Sequence, residues 1–597
     1  MALCFPPQNE IDNFRVKLTE GESFLLQNLQ NYLDDSFEIF VQPFLNGDRP
    51  DFVIMRQGFG VIIIEVKDWD LSCYTNPNGG LNPWYLTKKD KPIKSPLAQV
   101  QAYKENLYSL HIDILFEKNI RNSKTFAIVQ PVVYFYKANR NQIDNFCGNV
   151  PYLHLLGHDG VNEIGINDLL QLTRLNTESY LFDNALYQGF RRFLNPPLHS
   201  PDTKRNITYN KKQAKLVKSY SNARKKIKGV AGSGKTLVLA GRAVNSYCRT
   251  QNTVLILTFN ITLRNYIHDR INEVRLPFPW SGFEISNYHQ FFKSQANNYN
   301  LSYDDLLIAA DDESFFDSVI EPIQRYKTIL VDEVQDYKQA WLKILLKYFL
   351  SPNGEFVVFG DEKQNIYDRE MGEDSFPQVP TITGRYNLLN QSYRLDSVVM
   401  PIAQAFQREY FTNRYKIDEN IKSKSNTTPQ QETIKLGEMR YVSKIGISYD
   451  DLYCFIRETI LSLDVHPDNI AILASTVEPV RELEYRFRTL NRENTTKACE
   501  TKEEYDDITA SSSGNNAKQK LEEIRRGRKF HFWGNAGTTK FSTIHSFKGW
   551  ESDTVILIIS EKERCSDELI YVALTRTQRN LVIIDTTIMQ RYSNYFQ

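Results

Sequence analysis

Residues 229–236 carry the clearest chemical pattern in the sequence. They read GVAGSGKT, which matches G-x-x-x-x-G-K-[ST] with an additional Gly232, and a helical pattern follows them. Glycines let backbone N–H groups wrap phosphates, and the amino terminus of a helix adds a favourable dipole. Lys235 is therefore predicted to reach the β- and γ-phosphates of ATP, and Thr236 is predicted to bind Mg²⁺. The predicted nucleotide contacts of this segment are Gly229, Gly232, Gly234, Lys235 and Thr236.

Two acids further along the chain suit the same chemistry. The apolar run in TILVDEVQD, residues 328–336, is typical of a buried strand and ends at Asp332 and Glu333. Asp332 suits the Mg²⁺ shell, and Glu333 suits a base that orients the attacking water. Acids after a strand usually belong to a capped loop, but their combination with the glycine-rich segment favours ATP hydrolysis.

Residues 51–69, DFVIMRQGFGVIIIEVKDW, combine carboxylates with a lysine. Two apolar strands flank RQGFG, whose glycines favour a hairpin turn. If the hairpin is centred on Gly58, Asp51 faces Glu65, and strand periodicity puts Glu65 and Lys67 on one face. Two carboxylates beside a lysine suit Mg²⁺-dependent chemistry on phosphates. An ordinary surface strand with a Glu–Lys pair is the open alternative.

The elements that must position these residues alternate along the chain. After a proline-containing stretch at 194–209, short β-branched runs alternate with helical patterns. The runs are VLILTF, TILVDE, EFVVFGD, NIAILAS, TVILIIS and LVIID. This alternation favours doubly wound parallel sheets, and the segment is long enough for two such domains. The preceding residues contain the hairpin, a helical pattern near 97–110 and a strand-like run at 125–136.

Composition excludes several classes of protein. A chain of 597 residues is too long for one core and suggests roughly four folding units. The 72 basic and 72 acidic residues cancel, which excludes a histone-like protein but allows a local basic groove. The seven cysteines are scattered without CxxC, which argues against disulfide, zinc-ribbon and iron–sulfur scaffolds. Without a long apolar run or a signal-peptide core, a cytoplasmic protein without membrane association is expected.

The N-terminal segment resembles a known nuclease fold. Asp51 followed by Glu-x-Lys on the next strand resembles the PD-(D/E)xK nucleases, and the surroundings resemble the NERD (nuclease-related) domain. The resemblance includes Gly21–Glu22 opening a helix, GVIIIEVK, and SPLAQVQAY at 95–103. It implies that Glu22 adds an acid to the site. It also implies that Gln99, in the catalytic set, and Tyr103 share a helix face and meet the DNA backbone.

The remainder of the chain resembles the superfamily-one helicases of the UvrD/Rep type. The resemblance rests on the order of short blocks along residues 205–590. The blocks are Gln213, GVAGSGKT, TFN (258–260), ISNYHQFF (285–292), DEVQD, FGDEKQNIY (359–367), LLNQSYR (388–394), AILAST (471–476), STIHSFKGWES (542–552) and LIYVALTRTQ (569–578). It implies two RecA-like domains that clamp one ATP between them.

The same resemblance implies roles for individual residues. Gln213 would read adenine, on which Tyr393 would stack, and Gln364 would sense the γ-phosphate. Arg394 and Arg576 would be arginine fingers from the second RecA-like domain. Glu551 would hold the ribose. Residues that would line the single-strand track or couple it to ATP are Thr258, Asn260, His289, Thr543 and His545.

Some positions depart from the helicase pattern. Arg369 stands where an aromatic residue usually stacks on a base, which leaves Tyr367 as the nearby candidate. The short region between AILAST and STIHSFKG predicts a reduced accessory subdomain, which favours translocation over strong autonomous unwinding. Its polar stretch at 495–520 predicts a mobile loop or insert.

Two basic stretches are candidates for phosphate contact. Residues 204–228 contain ten Lys or Arg and no acid, and they either touch phosphates or form a solvated helix face. RRGRKFHFW at 525–533 mixes cations with aromatic residues, which suits single strands. A strand of the second RecA-like domain is the slightly favoured alternative for this stretch.

The sequence predicts an α/β chain with a restriction-endonuclease-like domain followed by two RecA-like P-loop domains with small inserts. The predicted segments are a NERD domain at 1–195, a linker at 196–210, a RecA-like domain at 211–385 with an insert near 262–325, and a second RecA-like domain at 386–597 with inserts near 400–465 and 485–540.

The predicted activity is ATP-dependent DNA translocation or unwinding joined to a Mg²⁺-dependent nuclease, in DNA repair or defence against phage. ATP and Mg²⁺ are the expected cofactors and DNA the expected partner, while a protein partner or homo-oligomer stays open. One alternative is a NERD-like domain that holds DNA without cutting it. Others are an ATP-driven switch for a partner protein, and RNA as the substrate.

Overall fold

A computed structural model describes most of the chain. The described residues are 2–14, 17–43, 45–87, 91–196, 209–230, 232–364, 379, 382, 386–389, 399–412, 415, 437–534, 536–560 and 566–596. They separate into two compact units. The N-terminal unit comprises Met1–Leu198, Pro279–Ser281 and His289–Ile323. The C-terminal unit comprises His199–Phe278, Gly282–Tyr288 and Gln324–Gln597.

The described part of the N-terminal unit contains nine strands. They are β1 (Leu3–Phe5), β2 (Phe37–Val41), β3 (Phe52–Arg56), β4 (Gly60–Lys67), β5 (Tyr74–Thr75), β6 (Trp84–Leu86), β7 (Lys91–Ile93), β8 (Val129–Phe135) and β9 (His154–Gly157). The main sheet has the order β1-β2-β3-β4-β8-β9, and β5-β6-β7 form a small antiparallel sheet.

The hairpin of β3 and β4 has the predicted register. The strands pair antiparallel, with Phe52 opposite Ile64 and Arg56 opposite Gly60, so the hairpin is centred on Gly58. Gly58 has a φ of 82°, in the left-handed region that a glycine adopts without strain. β4 also pairs parallel with β8, which buries the strand on both sides.

Helices cover both faces of the main sheet. They are α1 (Gln8–Ile11), α2 (Glu20–Tyr32), α3 (Pro96–Asn106), α4 (Asp113–Arg121), α5 (Arg140–Cys147), α6 (Glu163–Leu172) and α7 (Asn184–Leu194). Ile62 and Ile64 share an apolar cluster with residues of α2, whereas Val61 and Ile63 share another with residues of α3. Because side chains alternate along a strand, Glu65 and Lys67 lie on the α3 face.

The described part of the C-terminal unit contains two parallel sheets. Its strands are β10 (Arg224–Gly229), β11 (Val254–Thr258), β12 (Phe283–Asn287), β13 (Tyr326–Val331), β14 (Leu350–Gly360), β15 (Asn387–Leu389), β16 (Met439–Ser443), β17 (Ile470–Ala474), β18 (Thr495–Lys497), β19 (Thr539–Thr543), β20 (Ser552–Ile559) and β21 (Thr577–Asp585). The orders are β12-β11-β13-β14-β10-β15 and β16-β21-β20-β17-β19-β18. The prediction of two doubly wound parallel sheets is confirmed.

The remaining helices follow the order of the chain. They are α8 (Lys211–Val217), α9 (Lys235–Thr250), α10 (Leu263–Asn272), α11 (Tyr288–Asn298), α12 (Leu306–Asp311), α13 (Gln339–Ile344), α14 (Val399–Tyr410), α15 (Tyr449–Leu463), α16 (Val477–Leu490), α17 (Lys502–Ser511), α18 (Gly514–Phe530), α19 (Ile544–Phe547), α20 (Asp567–Leu574) and α21 (Ser593–Phe596). No helix among the described residues is long and apolar enough to cross a membrane.

Three predicted segments differ from the structure. Residues 495–520 were predicted to be a mobile loop or insert, but they form β18, α17 and the start of α18. The favoured strand at 525–533 is wrong, because α18 extends to Phe530. Residues 289–323, which lie within the insert predicted near 262–325, are grouped with the N-terminal unit, and this grouping was not predicted.

Candidate functional site

The glycine-rich loop between β10 and α9 folds around its own lysine. Lys235 is 9% exposed, and its Nζ donates a hydrogen bond to the Gly229 carbonyl oxygen at 2.7 Å. Gly229 must lack a side chain, since a Cβ would lie 2.3 Å from Ser233 Oγ. Gly232 and Gly234 adopt φ values of 75° and 80°, which favour glycine. The glycines therefore shape the loop that surrounds the Lys235 ammonium.

Gln213 of α8 lies against this loop. Its Nε2 donates to the Ser233 carbonyl oxygen at 3.1 Å, and its Oε1 accepts from the Asn210 amide at 3.0 Å in a capping box. A Cβ on Gly234 would lie 2.8 Å from Gln213 Nε2, so the glycine permits this approach. The capping box at the start of α8 thus fixes Gln213 beside the loop.

Two acids follow β13 directly. The Asp332 amide donates to the Leu257 carbonyl oxygen at 2.8 Å, which ties this end of β13 to β11. Glu333 has a φ of 50°, and its amide donates to Asp332 Oδ1 at 3.1 Å. Burial and the neighbouring Glu333 carboxylate raise the pKa of Asp332 to about 7. The ionised form of Asp332 therefore gains from any cation placed beside it.

A line of buried polar side chains connects the loop to Arg576. Asp361 Oδ2 lies 3.8 Å from Lys235 Nζ and accepts a hydrogen bond from Gln364 Nε2 at 3.0 Å. Gln364 Oε1 accepts from Arg576 Nη2 at 3.2 Å. Arg576 is 2% exposed and lies between α20 and β21, whereas Lys235 opens α9. Residues from the two parallel sheets of the C-terminal unit therefore meet at one place.

Lys548 and Asp336 reinforce this meeting, although the sequence analysis gave neither a role. Lys548 Nζ donates to Asp336 Oδ1 at 2.9 Å and Oδ2 at 2.7 Å, and to the Gln364 carbonyl oxygen at 2.6 Å. Each partner of this ion pair is 2% exposed at its side chain. Asp336 lies in the DEVQD block and Lys548 in the STIHSFKGWES block. Their place in these blocks is the sequence signal that could have identified them.

Asparagines near α10 join the same two sheets. Asn260 Nδ2 donates to the carbonyl oxygens of His545 at 2.9 Å and Ser546 at 3.1 Å. Asn265 Nδ2 donates to the Phe530 carbonyl oxygen at 2.7 Å. Backbone carbonyl oxygens accept these hydrogen bonds. The bonds therefore depend on the backbone position of the accepting residues and not on their side chains.

The hairpin of the N-terminal unit brings its carboxylates and lysine together. Asp51 Oδ2 accepts a hydrogen bond from the Val66 amide at 2.6 Å, which places it beside the end of β4. Lys67 Nζ donates to Glu65 Oε1 at 2.5 Å, and these two residues are 9% and 3% exposed. Glu65 Oε2 is buried without a hydrogen-bond partner among the described residues.

Glu22 approaches this pair from the start of α2. Thr19 and Glu22 form a capping box, in which the Thr19 amide donates to Glu22 Oε2 at 2.8 Å. Burial, then the charges of Glu65 and Glu22, raises the pKa of Asp51 well above its usual value. Burial also raises the pKa of Glu65, against the opposing effect of Lys67. The predicted third acid is therefore close enough to affect the other two.

Gly21 is required by the same helix terminus. Its amide donates to Asp68 Oδ2 at 3.1 Å, and a Cβ at this position would lie 2.1 Å from Asp68 Oδ1. Any larger residue would push the carboxylate away. The glycine therefore allows the strand end after Lys67 to contact the start of α2.

The carboxylates suit a hard cation by their chemistry. No group of three or more His, Cys, Asp or Glu side chains within the described ranges is arranged to hold a metal ion. Asp51 and Glu65 still form a buried pair, and Glu65 Oε2 makes no hydrogen bond of good geometry within the described ranges, although the Gln99 side chain lies near the carboxylate. Oxygen ligands of this kind are those that Mg²⁺ prefers. The pair fits the ion, with further ligands to come from water or substrate.

Family comparisons find separate matches in the N-terminal and C-terminal parts of the chain. Residues 17–136 match the nuclease-related domain family, NERD. Residues 213–370 match an AAA domain family, and residues 308–476 and 473–585 match the viral superfamily 1 RNA helicase core domain. The first match contains the hairpin carboxylates, and the others contain the loop lysine and Arg576.

The chain joins a nuclease-related domain to a superfamily-one helicase core.

Three solved structures that match part of the chain are viral helicases. The arterivirus nonstructural protein 10 helicase is 11% identical with a TM-score of 0.28, covering 65% of this chain and 64% of that one. Its complex with DNA has 11% identity, a TM-score of 0.29 and 65% coverage of both chains. The PRRSV helicase has 14% identity, a TM-score of 0.29, and coverages of 65% and 56%. The match thus spans less than two thirds of each helicase, and no curated protein matches the chain.

Inside the helicase core, the predicted strand-track residues occupy different environments. Thr258 is fully buried and donates to the Asn260 carbonyl oxygen at 2.8 Å. Thr543 caps α19 by accepting from the Ser546 amide at 3.3 Å. Burial, followed by the nearby charge of Lys548, lowers the pKa of His545. The side chain of Thr258 is therefore enclosed by the protein, and that of Asn260 bonds to the backbone of residues 545 and 546.

Other predicted residues lie apart from these or outside the described ranges. Glu551 lines a small cleft of about 150 Å³ with Arg270 and Trp550. His289 belongs to the N-terminal unit, whereas the other track candidates belong to the helicase core. The candidates outside the described residues are Tyr367, Arg369, Tyr393 and Arg394.

In the NERD domain, the predicted DNA contact of Gln99 and Tyr103 is not available in this arrangement. They lie one turn apart on α3, and Gln99 Nε2 donates to Tyr103 Oη at 3.2 Å. Gln99 is 2% exposed and Tyr103 is 0% exposed. Asn298 and Asn300 bond to them, so the physical reason is coverage by the 289–323 segment. A cleft of about 820 Å³ elsewhere in this unit, along residues 140–172, is lined by none of the predicted site residues.

The two basic stretches have different outcomes. In the first, α8 presents Lys211, Lys212 and Lys215 as exposed side chains, in keeping with a solvated helix face. In the second, Arg525 pairs with Glu500 at 2.6 Å, and Arg528 pairs with Glu504. Arg525 and Arg528 of α18 are thus paired with acids of neighbouring segments.

Proposed function

We propose that the chain is an ATP-dependent DNA translocase or helicase whose NERD domain is a Mg²⁺-dependent nuclease. The observation that supports the motor is the buried line from Lys235 through Asp361 and Gln364 to Arg576. A lysine and an arginine near strands of different sheets can bind the same triphosphate only if their side chains lie near each other. The contacts from Lys235 to Arg576 support such an arrangement. The helicase family matches cover both ends of this line.

Each residue of the line has a chemical task in this proposal. Lys235 holds the β- and γ-phosphates, and Glu333 orients the attacking water. Arg576 places a planar cation on the oxygens that gain charge as the γ-phosphate leaves. Gln364 contacts Arg576 directly, so loss of the γ-phosphate changes the contacts between the two sheets.

Thr236 and Asp332 would hold the Mg²⁺ that accompanies ATP. A bound Mg²⁺ supplies charge that stabilises the phosphate oxygens during transfer. Asp332, buried beside Glu333, binds a proton up to about pH 7 without the ion. This chain's own contribution is to hold both side chains at the ends of α9 and β13.

DNA movement follows from the contacts between the sheets. Asn260 and Asn265 bond to backbone carbonyls at residues 530–546, so closure on ATP moves these loops against one another. Alternating closure and opening advances the motor along one strand, and the resemblance implies 3′-to-5′ polarity. DNA repair or defence against phage DNA is the proposed setting.

The nuclease proposal rests on the hairpin. Asp51 and Glu65 would hold Mg²⁺, with Glu22 as an added acid, and Lys67 would offset negative charge that develops on the phosphate. A second candidate is a DNA clamp that does not cut, because Gln99 and Tyr103 are covered in this arrangement. RNA is a further candidate substrate, since one matching family is described as an RNA helicase core.

ATP hydrolysis by the full chain, with and without single-stranded DNA or RNA, tests the motor. DNA is expected to raise the rate, and Lys235→Ala is expected to abolish it. A rate indifferent to both nucleic acids would favour the regulatory switch, and stimulation by RNA alone would replace DNA as the substrate.

A Mg²⁺-dependent cleavage assay on duplex, nicked and single-stranded DNA tests the nuclease. Lys67→Ala is expected to lower cleavage by about 10²-fold while ATP hydrolysis stays unchanged. Exposed Lys137 in the same domain provides the control substitution, Lys137→Ala. If the wild-type protein cuts none of these substrates, the clamp replaces the nuclease.

A further inference from the structure

One segment of the helicase core's chain is built into the compact unit of the NERD domain. Residues 289–323 follow β12 and precede β13, which are strands of a helicase sheet. The same residues belong to the N-terminal unit by their contacts. We call residues 289–323 the bridging segment. It is the stretch of sequence through which the helicase core could act on the NERD domain.

The bridging segment contacts the two residues that the NERD pattern assigned to DNA. Asn300 Nδ2 donates to Gln99 Oε1 at 2.7 Å. Asn298 Oδ1 accepts from Tyr103 Oη at 3.1 Å. Asn297 Nδ2 also donates to the Gln99 carbonyl oxygen at 3.3 Å. Three asparagines within four residues therefore bind one face of α3.

Additional bonds fix the asparagines in place. The Lys94 amide donates to the Asn300 carbonyl oxygen at 2.7 Å, and Asn298 Nδ2 donates to the Gly47 carbonyl oxygen at 2.7 Å. Ser294 Oγ donates to buried Asp48 Oδ1 at 2.8 Å. Polar bonds of this kind can be exchanged for water when a segment moves, unlike an apolar seam.

The contacts with the bridging segment affect the side chains near Glu65. Gln99 has its Oε1 occupied by Asn300 and its Nε2 directed to Tyr103. Glu65, on the same face of the domain, lies close enough to the Gln99 side chain for that amide to oppose the rise in pKa that burial causes, yet its Oε2 has no hydrogen-bond partner of good geometry among the described residues. Burying a carboxylate oxygen without a hydrogen bond is energetically unfavourable. A rearrangement that supplies a donor to Glu65 Oε2 would therefore stabilise the site.

We propose that Asn298 and Asn300 are positioning residues that hold Gln99 and Tyr103 covered, and that the bridging segment releases them when the helicase core engages ATP and DNA. The proposal rests on the proposed nuclease function of the NERD domain. Release frees the Gln99 amide and the Tyr103 hydroxyl for a phosphate backbone. Cutting is thereby restricted to DNA on which the motor is active.

The test uses the full chain with Asn298→Ala and Asn300→Gly combined. Glycine suits position 300 because Asn300 has a φ of 55°, which alanine would adopt only with strain. Asp304→Ala, at an exposed position of the same segment, is the control. Two quantities are measured: amide hydrogen exchange of residues 96–106, and DNA cleavage with and without ATP.

In the wild type, ATP with single-stranded DNA is expected to speed exchange of residues 96–106. The double variant is expected to show fast exchange without ligands, and its cleavage without ATP should rise about tenfold, within the usual range of coupling between sites. The Asp304→Ala control should behave as the wild type. Unchanged exchange in all states overturns the proposal, as does cleavage with the same ATP dependence in wild type and double variant.

The two proposals fail in different ways. If exchange responds as expected but neither protein cuts DNA, the covering role stands and the nuclease function falls. If both proteins cut and exchange never responds, the nuclease stands and the covering role falls.

Discussion

The NERD site and the ATP site both set buried acids near a lysine, yet different kinds of residue complete them. In the NERD site, Lys67 pairs directly with Glu65 at 2.5 Å. In the ATP site, Lys235 instead donates to the backbone of its own loop, and its acid neighbour Asp361 is 3.8 Å away. Lys67 is thus held by an acid of its own site, whereas Lys235 is held mainly by a backbone oxygen atom of its loop.

The residues that surround Lys235 and Glu65 also differ in their origin. Polar groups around Lys235 belong to recognised helicase blocks, and they link one sheet of the core to the other. Around Glu65, the α3 residues are held by Asn298 and Asn300, which belong to no block. A site completed by its own motifs is ready for its ligand, whereas a site completed by an inserted segment needs that segment to move.

Removal of the Arg576 side chain should have the largest effect on the ATP site. Arg576→Ala is expected to lower ATP turnover by about 10³-fold, because the guanidinium acts on charge that develops only during phosphoryl transfer. ATP affinity should change far less, as measured by titration of a fluorescent nucleotide. Arg579→Ala is the matched control, since Arg579 is partly exposed and pairs with Asp553. Equal losses in both variants would remove Arg576 from the site.

The parts of the molecule that were predictable depend on local pattern. The register of β3 and β4 followed from the position of the turn, because a hairpin centred on Gly58 fixes which residues of the two strands face each other. The order of blocks placed Lys235 and Arg576 in different RecA-like domains, and Asp361 and Gln364 lie between the two residues.

The parts that were missed depend on distant partners. Asn298 and Asn300 carry no pattern that relates them to α3, because the contacts join residues about 200 positions apart. The stretch at 495–520 is polar, which suggested a loop. Its helices are stabilised by ion pairs such as Arg528 with Glu504, and composition alone does not reveal the pairing.

The ion pair of Lys548 with Asp336 tests whether the helicase sheets depend on motif residues for stability. Lys548→Met is expected to lower the free energy of unfolding by about 3–5 kcal/mol, because it removes the buried cation that bonds to both carboxylate oxygens of Asp336. Urea denaturation of the full chain measures the change, with exposed Lys518→Met as control. Adding Asp336→Leu should restore part of the loss. If the double variant were no more stable than Lys548→Met alone, the charge of Asp336 would not be the cause of the loss.

The pKa of Asp332 provides a test of the electrostatics of the ATP site. Its folded-state value of about 7 exceeds the ordinary value of 3.8, so the folded protein binds the proton more tightly than the unfolded chain. Below both values the group has no effect on stability, and as pH rises towards about 7 the ionisation of the unfolded chain destabilises the fold. Without nucleotide or Mg²⁺, Asp332→Asn should therefore become progressively more stable than the wild type between about pH 4 and 7, and the difference should level off above that. Thermal melts across this range measure it, with exposed Asp506→Asn as control. A stability difference that does not change with pH would mean that Asp332 is ionised throughout, held by a cation such as Lys235 more closely than the structure has it.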